Sequence, residues 1–198
     1  MLIGLILRGV AFEFRAKARA RHKALWNRLF FGGSLVTALA QGFMLGLYIM
    51  GLEKTPQTYL FATVTSVFLT VGYGFIGATW LVHKTTGDLQ AKALNWARGT
   101  LWGVIAGIGA VSLATPLVSD RILGKWFSFP NILWLAPLPL LSGALVVALW
   151  LMLRRMPFAG DRWNWLPFAT SSGIFALAYL GLAYSFYPYV VPERLTLY

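Results

Sequence analysis

Residues 55–82 read TPQTYLFATVTSVFLTVGYGFIGATWLV, from Thr55 to Val82, without one Asp, Glu, Lys or Arg. As helix, at 1.5 Å per residue, the run reaches about 42 Å, more than the ~30 Å hydrocarbon core of a bilayer. In hydrocarbon every backbone amide needs an internal partner, so a run of this length and composition spans as a helix. Four more stretches share its freedom from charge: Leu29 to Leu52, Gly99 to Ser119, Trp126 to Leu153 and Trp163 to Pro192. The last two have surplus length for a short interfacial turn before Pro130 or after Pro188.

The whole chain agrees with these five runs. Its 198 residues are 58% hydrophobic, 16% aromatic and only 12% charged, with a mean hydropathy of +0.67. One soluble core cannot bury that much apolar surface, which excludes a soluble enzyme and a disordered tail. The absence of cysteine excludes a disulfide framework, a thiolate metal site and a thiol nucleophile. The expected fold class is all-α: a polytopic transmembrane helix bundle forming a single domain over residues 1–198, with five complete spans plus the end of a truncated one.

The net charge of +11 is read first as topology, because Lys and Arg are retained in cytoplasmic loops. The segment Arg8 to Arg28 holds seven basic residues, and His83 to Arg98 and Arg154 to Arg162 hold three each. All three fall on one side if the five spans alternate. The opposite side receives Lys54, Arg121, Lys125 and Arg194. Nucleic-acid binding would account for the charge but not for its alternation, so no nucleic-acid partner is expected and the three richer loops are placed in the cytoplasm.

Within the spans, Gly42 with Gly46, and Gly99 with Gly103 and Gly107, recur four residues apart. That spacing flattens one helix face for close backbone approach, to a helix of this chain or of another subunit. Eight tryptophans, Trp26, Trp80, Trp96, Trp126, Trp134, Trp150, Trp163 and Trp165, lie near span ends, where indoles favour the headgroup level. Pro116, Pro137 and Pro139 are expected to kink their helices. Met1 to Leu7 is apolar apart from Gly4 and is followed at once by Arg8. As helix it covers ~10 Å, which reads as the end of a helix whose earlier part is missing.

Buried ionisable residues mark the pathways of pumps and transporters, and the five spans contain none; their polar content is limited to residues such as Gln41, Thr63, Thr70, Tyr73, Ser112 and Ser171. Glu13, flanked by Arg8 and Arg15, is the exception near the N-terminus. It is either a solvated charge cluster paired with both arginines or a partly desolvated group that relays protons or fixes a subunit contact. Haem ligation needs His or Met facing the bundle interior. Only His22, in the basic segment, and His83, beside Lys84, are available as imidazoles. No paired carboxylate site, phosphate loop or serine elbow is present.

Three stretches carry a resemblance. Gly4-Leu-Ile-Leu-Arg-Gly-Val-Ala-Phe-Glu-Phe-Arg15 is similar to the third-helix signature of subunit II of cytochrome bd-type quinol oxidases, especially their cyanide-insensitive branch. His83-Lys-Thr-Thr-Gly-Asp-Leu-Gln90 resembles a loop of that family, and Tyr187-Pro-Tyr-Val-Val-Pro-Glu-Arg-Leu-Thr196 resembles the segment before its last helix. The resemblance covers essentially the whole chain, and it implies a fragment lacking the family's first two helices and its last.

It further implies a subunit of a respiratory quinol:oxygen oxidoreductase in a bacterial inner membrane. The b- and d-type haems and the quinol site belong to a haem-bearing subunit I. This chain then binds no haem itself, contacts that partner and membrane lipids, and offers a groove for a structural quinone. Glu13 takes the family's acidic position on a proton path, with Arg8 and Arg15 beside it. The rival readings are a small multi-pass transporter, against which the uncharged spans argue, and a structural membrane scaffold, which the glycine ladders permit.

Overall fold

The computed structural model describes residues 1–118, 124, 126–129, 131–156, 161–191 and 195–196. The helices are α1 (Leu2–Lys17), α2 (Lys23–Ile49), α3 (Pro56–Lys84), α4 (Gly87–Val118), α5 (Asn131–Leu135), α6 (Pro137–Arg155) and α7 (Leu166–Phe186). Short 3-10 turns at Ala20–His22 and Asp161–Trp163 precede α2 and α7. Five helical segments are long and apolar enough to cross a membrane: Ala20–Ile49, Pro56–Lys84, Gly87–Ala114, Pro137–Arg155 and Leu166–Phe186. The chain is an all-α polytopic bundle, with a two-stranded antiparallel ribbon after α7. That ribbon pairs Tyr189 with Thr196 and Val191 with Leu195.

The helices outrun the uncharged stretches. Arg8 to Arg28 is not a loop: α1 continues through Arg8, Glu13 and Arg15 to Lys17, and α2 already begins at Lys23. His83 to Arg98 shrinks to the link between Lys84 and Gly87, and Arg154 and Arg155 complete the last turn of α6. Charged side chains at helix ends reach the headgroup level while their backbone stays hydrogen-bonded in the helix, so charge marks depth rather than helix termination. Pro137 and Pro139 lie in the first turn of α6, where α5 gives way to α6 at the single residue Ala136. Pro116 lies near the end of α4. Arg121, Lys125, Pro130 and Arg194 lie outside the described residues.

Two compact units divide the chain. Met1–Tyr48 with Leu52–Thr70 make the first, and Ile49–Gly51 with Val71–Tyr198 the second. In the first, α2 meets the early part of α3 at Gly42 and Gly46. A Cβ on Gly42 would stand 2.5 Å from Ser66 Cα, and one on Gly46 would collide with Ala62 Cα. Ser66 Oγ donates 2.8 Å to the Leu39 carbonyl across the same crossing. On the other side of α2, Gly33 faces α1, where a Cβ would lie 2.8 Å from the Gly4 carbonyl oxygen. The pair Gly4 and Gly33 is a close approach that four-residue spacing does not reveal, because the two glycines belong to different helices.

In the second unit, Phe75 and Val82 of α3, Leu101 of α4, Leu149 and Leu153 of α6 and Ile174 of α7 share one buried core. Gly103 faces Val71, whose Cγ1 would be 2.7 Å from an added Cβ. Gly99 is exposed and an added Cβ would meet nothing within 4 Å; Gly107 is buried. The turn into α4 is built by Gly87, at φ +68, a left-handed conformation that suits glycine. Gln90 then folds back, its Nε2 donating 3.0 Å to the Val82 carbonyl near the end of α3. A carbonyl in the last turn, without an amide above it, thereby gains a donor.

Candidate functional site

Glu13 and its two arginines share α1 but do not form the expected cluster. Residues two and five apart on a helix point in different directions, at about 200° and 140° around the axis. Arg15 instead turns to α2, its Nε donating to Asn27 Oδ1. Phe14 stacks on Trp26 with ring centroids 5.3 Å apart, and Arg8 lies over the Phe30 ring at 5.5 Å. Three successive contacts thus bind the polar half of α1 to the first turns of α2. Glu13 is exposed, and among the described residues no cation lies within ion-pairing distance of its carboxylate. Its neighbours hold the helix in place and leave the carboxylate itself open.

The imidazoles are differently placed. His22 is exposed in the 3-10 turn before α2. His83, near the end of α3, contacts the Trp80 ring edge-on at 5.7 Å, while Lys84 lies over the same indole at 5.1 Å. His22 and His83 belong to different compact units. Neither fits an axial ligand held in a bundle interior. Among the described residues no three His, Cys, Asp or Glu converge as a metal site.

A second feature is an apolar cleft of about 480 Å³ in the second unit. Ile108 and Ser112 of α4, Leu138 and Ser142 of α6, Leu182 and Ser185 of α7, and Trp126 contribute to its lining. Trp126 Nε1 donates 2.8 Å to Ser185 Oγ, which donates 2.8 Å to the Gly181 carbonyl. Ser185 is thereby satisfied, whereas the hydroxyls of Ser112 and Ser142 have no side-chain hydrogen bond among the described residues. An elongated apolar molecule with one or two acceptor oxygens matches such a lining. The sequence named Ser112 only as residual polarity; Ser142 and Ser185 go unnoticed because one serine in an apolar helix carries no pattern.

Among curated proteins none matches the chain. A family model described as cytochrome bd terminal oxidase subunit II matches residues 1–198. That family is part of a haem-containing respiratory oxidoreductase complex. With five membrane-competent helices and a match along the whole of its length, the chain belongs to the cytochrome bd terminal oxidase subunit II family.

Proposed function

We propose that this chain is the non-haem subunit of a quinol:oxygen oxidoreductase, packed against a larger subunit that carries the b- and d-type haems and the quinol site. The observation that carries the reading is the family match over residues 1–198. The spans support it, because no more than 28% of any apolar window is buried within the chain. Surface left open on every helix suits a helical partner as well as lipid.

In this reading residues 1–198 work as one transmembrane domain of a bacterial inner membrane, with the basic ends of α1 and α2, α3 and α4, and α6 and α7 in the cytoplasm. The positive-inside rule supports that orientation. Glu13 is the proton-uptake residue. Its exposed position on α1, one residue from the Phe14 contact that holds α1 to α2, supports this role by leaving the carboxylate accessible on a fixed helix. The cleft of α4, α6 and α7 takes a structural quinone, with Ser112 and Ser142 as the hydroxyl donors to its carbonyl oxygens. When bound in the partner, haem supplies oxygen reduction; this chain supplies packing surface and a proton entry.

The experiment is purification of the chain from its native membranes in mild detergent, followed by a reduced-minus-oxidised optical spectrum. A larger co-purifying subunit with b-type and d-type haem bands is the expected result. A colourless preparation of this chain alone would overturn the assignment.

A further inference from the structure

The end of α6 combines features that its place in the helix order does not require. Arg98 reaches across from α4, its Nε donating 2.9 Å to the Leu153 carbonyl and its terminal nitrogen 2.9 Å to the Met156 carbonyl. A helix C-terminus carries roughly half a negative charge and repels anions. Here a guanidinium from another helix occupies the carbonyls and offsets that field. Arg154 and Arg155, both exposed in the last turn of the same helix, are therefore left over. Arg154 lies over Trp150, its guanidinium carbon 4.0 Å from the ring centroid. Among the described residues neither arginine is engaged by a carboxylate.

Below these two charges runs an open apolar track. Leu140, Ala144, Val147 and Leu151 are all exposed. Together with Arg154 and Arg155 they fall within about 100° of arc on α6. Leu140 to Leu151 covers about 17 Å along the axis, comparable to one acyl chain. Paired cations at the headgroup level, a tryptophan beside them and an uncharged stripe leading inward complement an amphiphile with an anionic head.

We infer that the Arg154–Arg155 end of α6, with its Leu140 to Leu151 stripe, is a binding site for an anionic phospholipid, the arginines holding the phosphate and the stripe the acyl chain. Arg98 is a positioning residue, making the helix end hospitable to an anion without touching it. The occupant is a lipid rather than free phosphate because the charged end continues directly into the acyl track.

The test uses the full chain, with whatever subunits it retains, in vesicles of phosphatidylcholine with or without one-fifth phosphatidylglycerol of the same acyl composition. The chain has no cysteine, so Val147→Cys carries a single bimane label on the track. Brominated phosphatidylglycerol should quench that label more than brominated phosphatidylcholine at equal mole fraction. The preference should fall about fivefold for each arginine replaced by Gln, the factor expected per cation near an anionic surface. Arg154→Lys with Arg155→Lys should retain most of it, and inorganic phosphate at millimolar concentration should not displace it. Equal quenching by the two lipids would overturn the site, as would a preference unchanged in the double Gln variant or abolished by inorganic phosphate. Should the Gln variant fold poorly, Lys54→Gln in place of the arginine changes gives the comparison for charge loss elsewhere, and the lipid preference of the labelled parent still decides the question. A label unreachable by either lipid would mean that protein covers the stripe, which also overturns the proposal.

Discussion

Thr79 Oγ1 on α3 lies 3.1 Å from Ser171 Oγ on α7, and both side chains are completely removed from solvent. Each hydroxyl has one proton and two acceptors in reach: one donates across this contact and the other to its own helix, the Ile76 carbonyl lying 3.0 Å from Thr79 Oγ1 and the Phe168 carbonyl 2.8 Å from Ser171 Oγ. Two helices 92 positions apart in sequence are thus joined by a polar contact within an apolar bundle. In water such a contact would compete with solvent; here the competitor is only the helix's own backbone. A double-mutant cycle with Thr79→Val and Ser171→Ala, followed by unfolding in detergent, should give a coupling of about 0.6 kcal/mol. Additive single effects would show that the hydroxyls merely sit side by side.

The glycine positions divide by what faces them. Gly46→Leu must push Ala62 and the α3 backbone away, and Gly42→Leu must displace Ser66, so each should cost about 1–3 kcal/mol through overpacking. Gly103→Leu meets a side chain, that of Val71, and should lie toward the lower end of that range. Gly99→Leu, with open space before it, should leave the melting temperature of the isolated chain unchanged. If Gly99 faces a partner subunit, its substitution will lower complex yield while sparing the chain, and co-purification reads that difference.

Arg98 is paired by geometry with two carbonyls rather than with an acid. Arg98→Ala should lower stability by about 1–2 kcal/mol, since two charge-assisted bonds are lost at a site still open to water. Arg98→Lys can reach one carbonyl at a time and should recover no more than half of that loss. Thermal unfolding of the three proteins in one detergent is sufficient to rank them.

The turn between α3 and α4 depends on two residues. Gly87→Ala should cost about 1 kcal/mol, because φ +68 is strained for a residue with a Cβ. Gln90→Ala leaves the Val82 carbonyl without its side-chain donor and should cost a similar amount. Protease sensitivity at Thr85 and Thr86 should rise in both variants.

Glu13→Gln tests proton uptake in the assembled oxidase. Haem content and subunit stoichiometry should be unchanged while turnover falls roughly tenfold or more, as for loss of a proton-transfer group. Wild-type turnover at every pH would remove Glu13 from the path. Arg15→Gln, which breaks only the tie to Asn27, should affect α1 stability more than turnover.

The family resemblance was legible in three short motifs, and the structure supplies physical reasons for parts of them. Gly87 and Gln90 in the second motif build a turn and a helix cap. Arg15 in the first ties α1 to α2. Of the two readings of Glu13, pairing with its flanking arginines rests on proximity in sequence, and once α1 is helical through Lys17 those side chains diverge. The cleft was not legible at all, since its lining comes from α4, α6, α7 and the segment containing Trp126, and no periodicity links them.

The amino-acid sequence by itself determined that the chain is an all-α membrane bundle and which five segments can cross. Hydrocarbon imposes that outcome locally: an uncharged run of sufficient length must satisfy its own amides as helix. Only the tertiary structure decided which glycines are contacts, where Arg98 and Arg15 go, and which face of α6 remains open. Four-residue spacing makes a helix face flat without naming its neighbour, and a long cationic side chain bonds to whatever the helix crossing brings within reach.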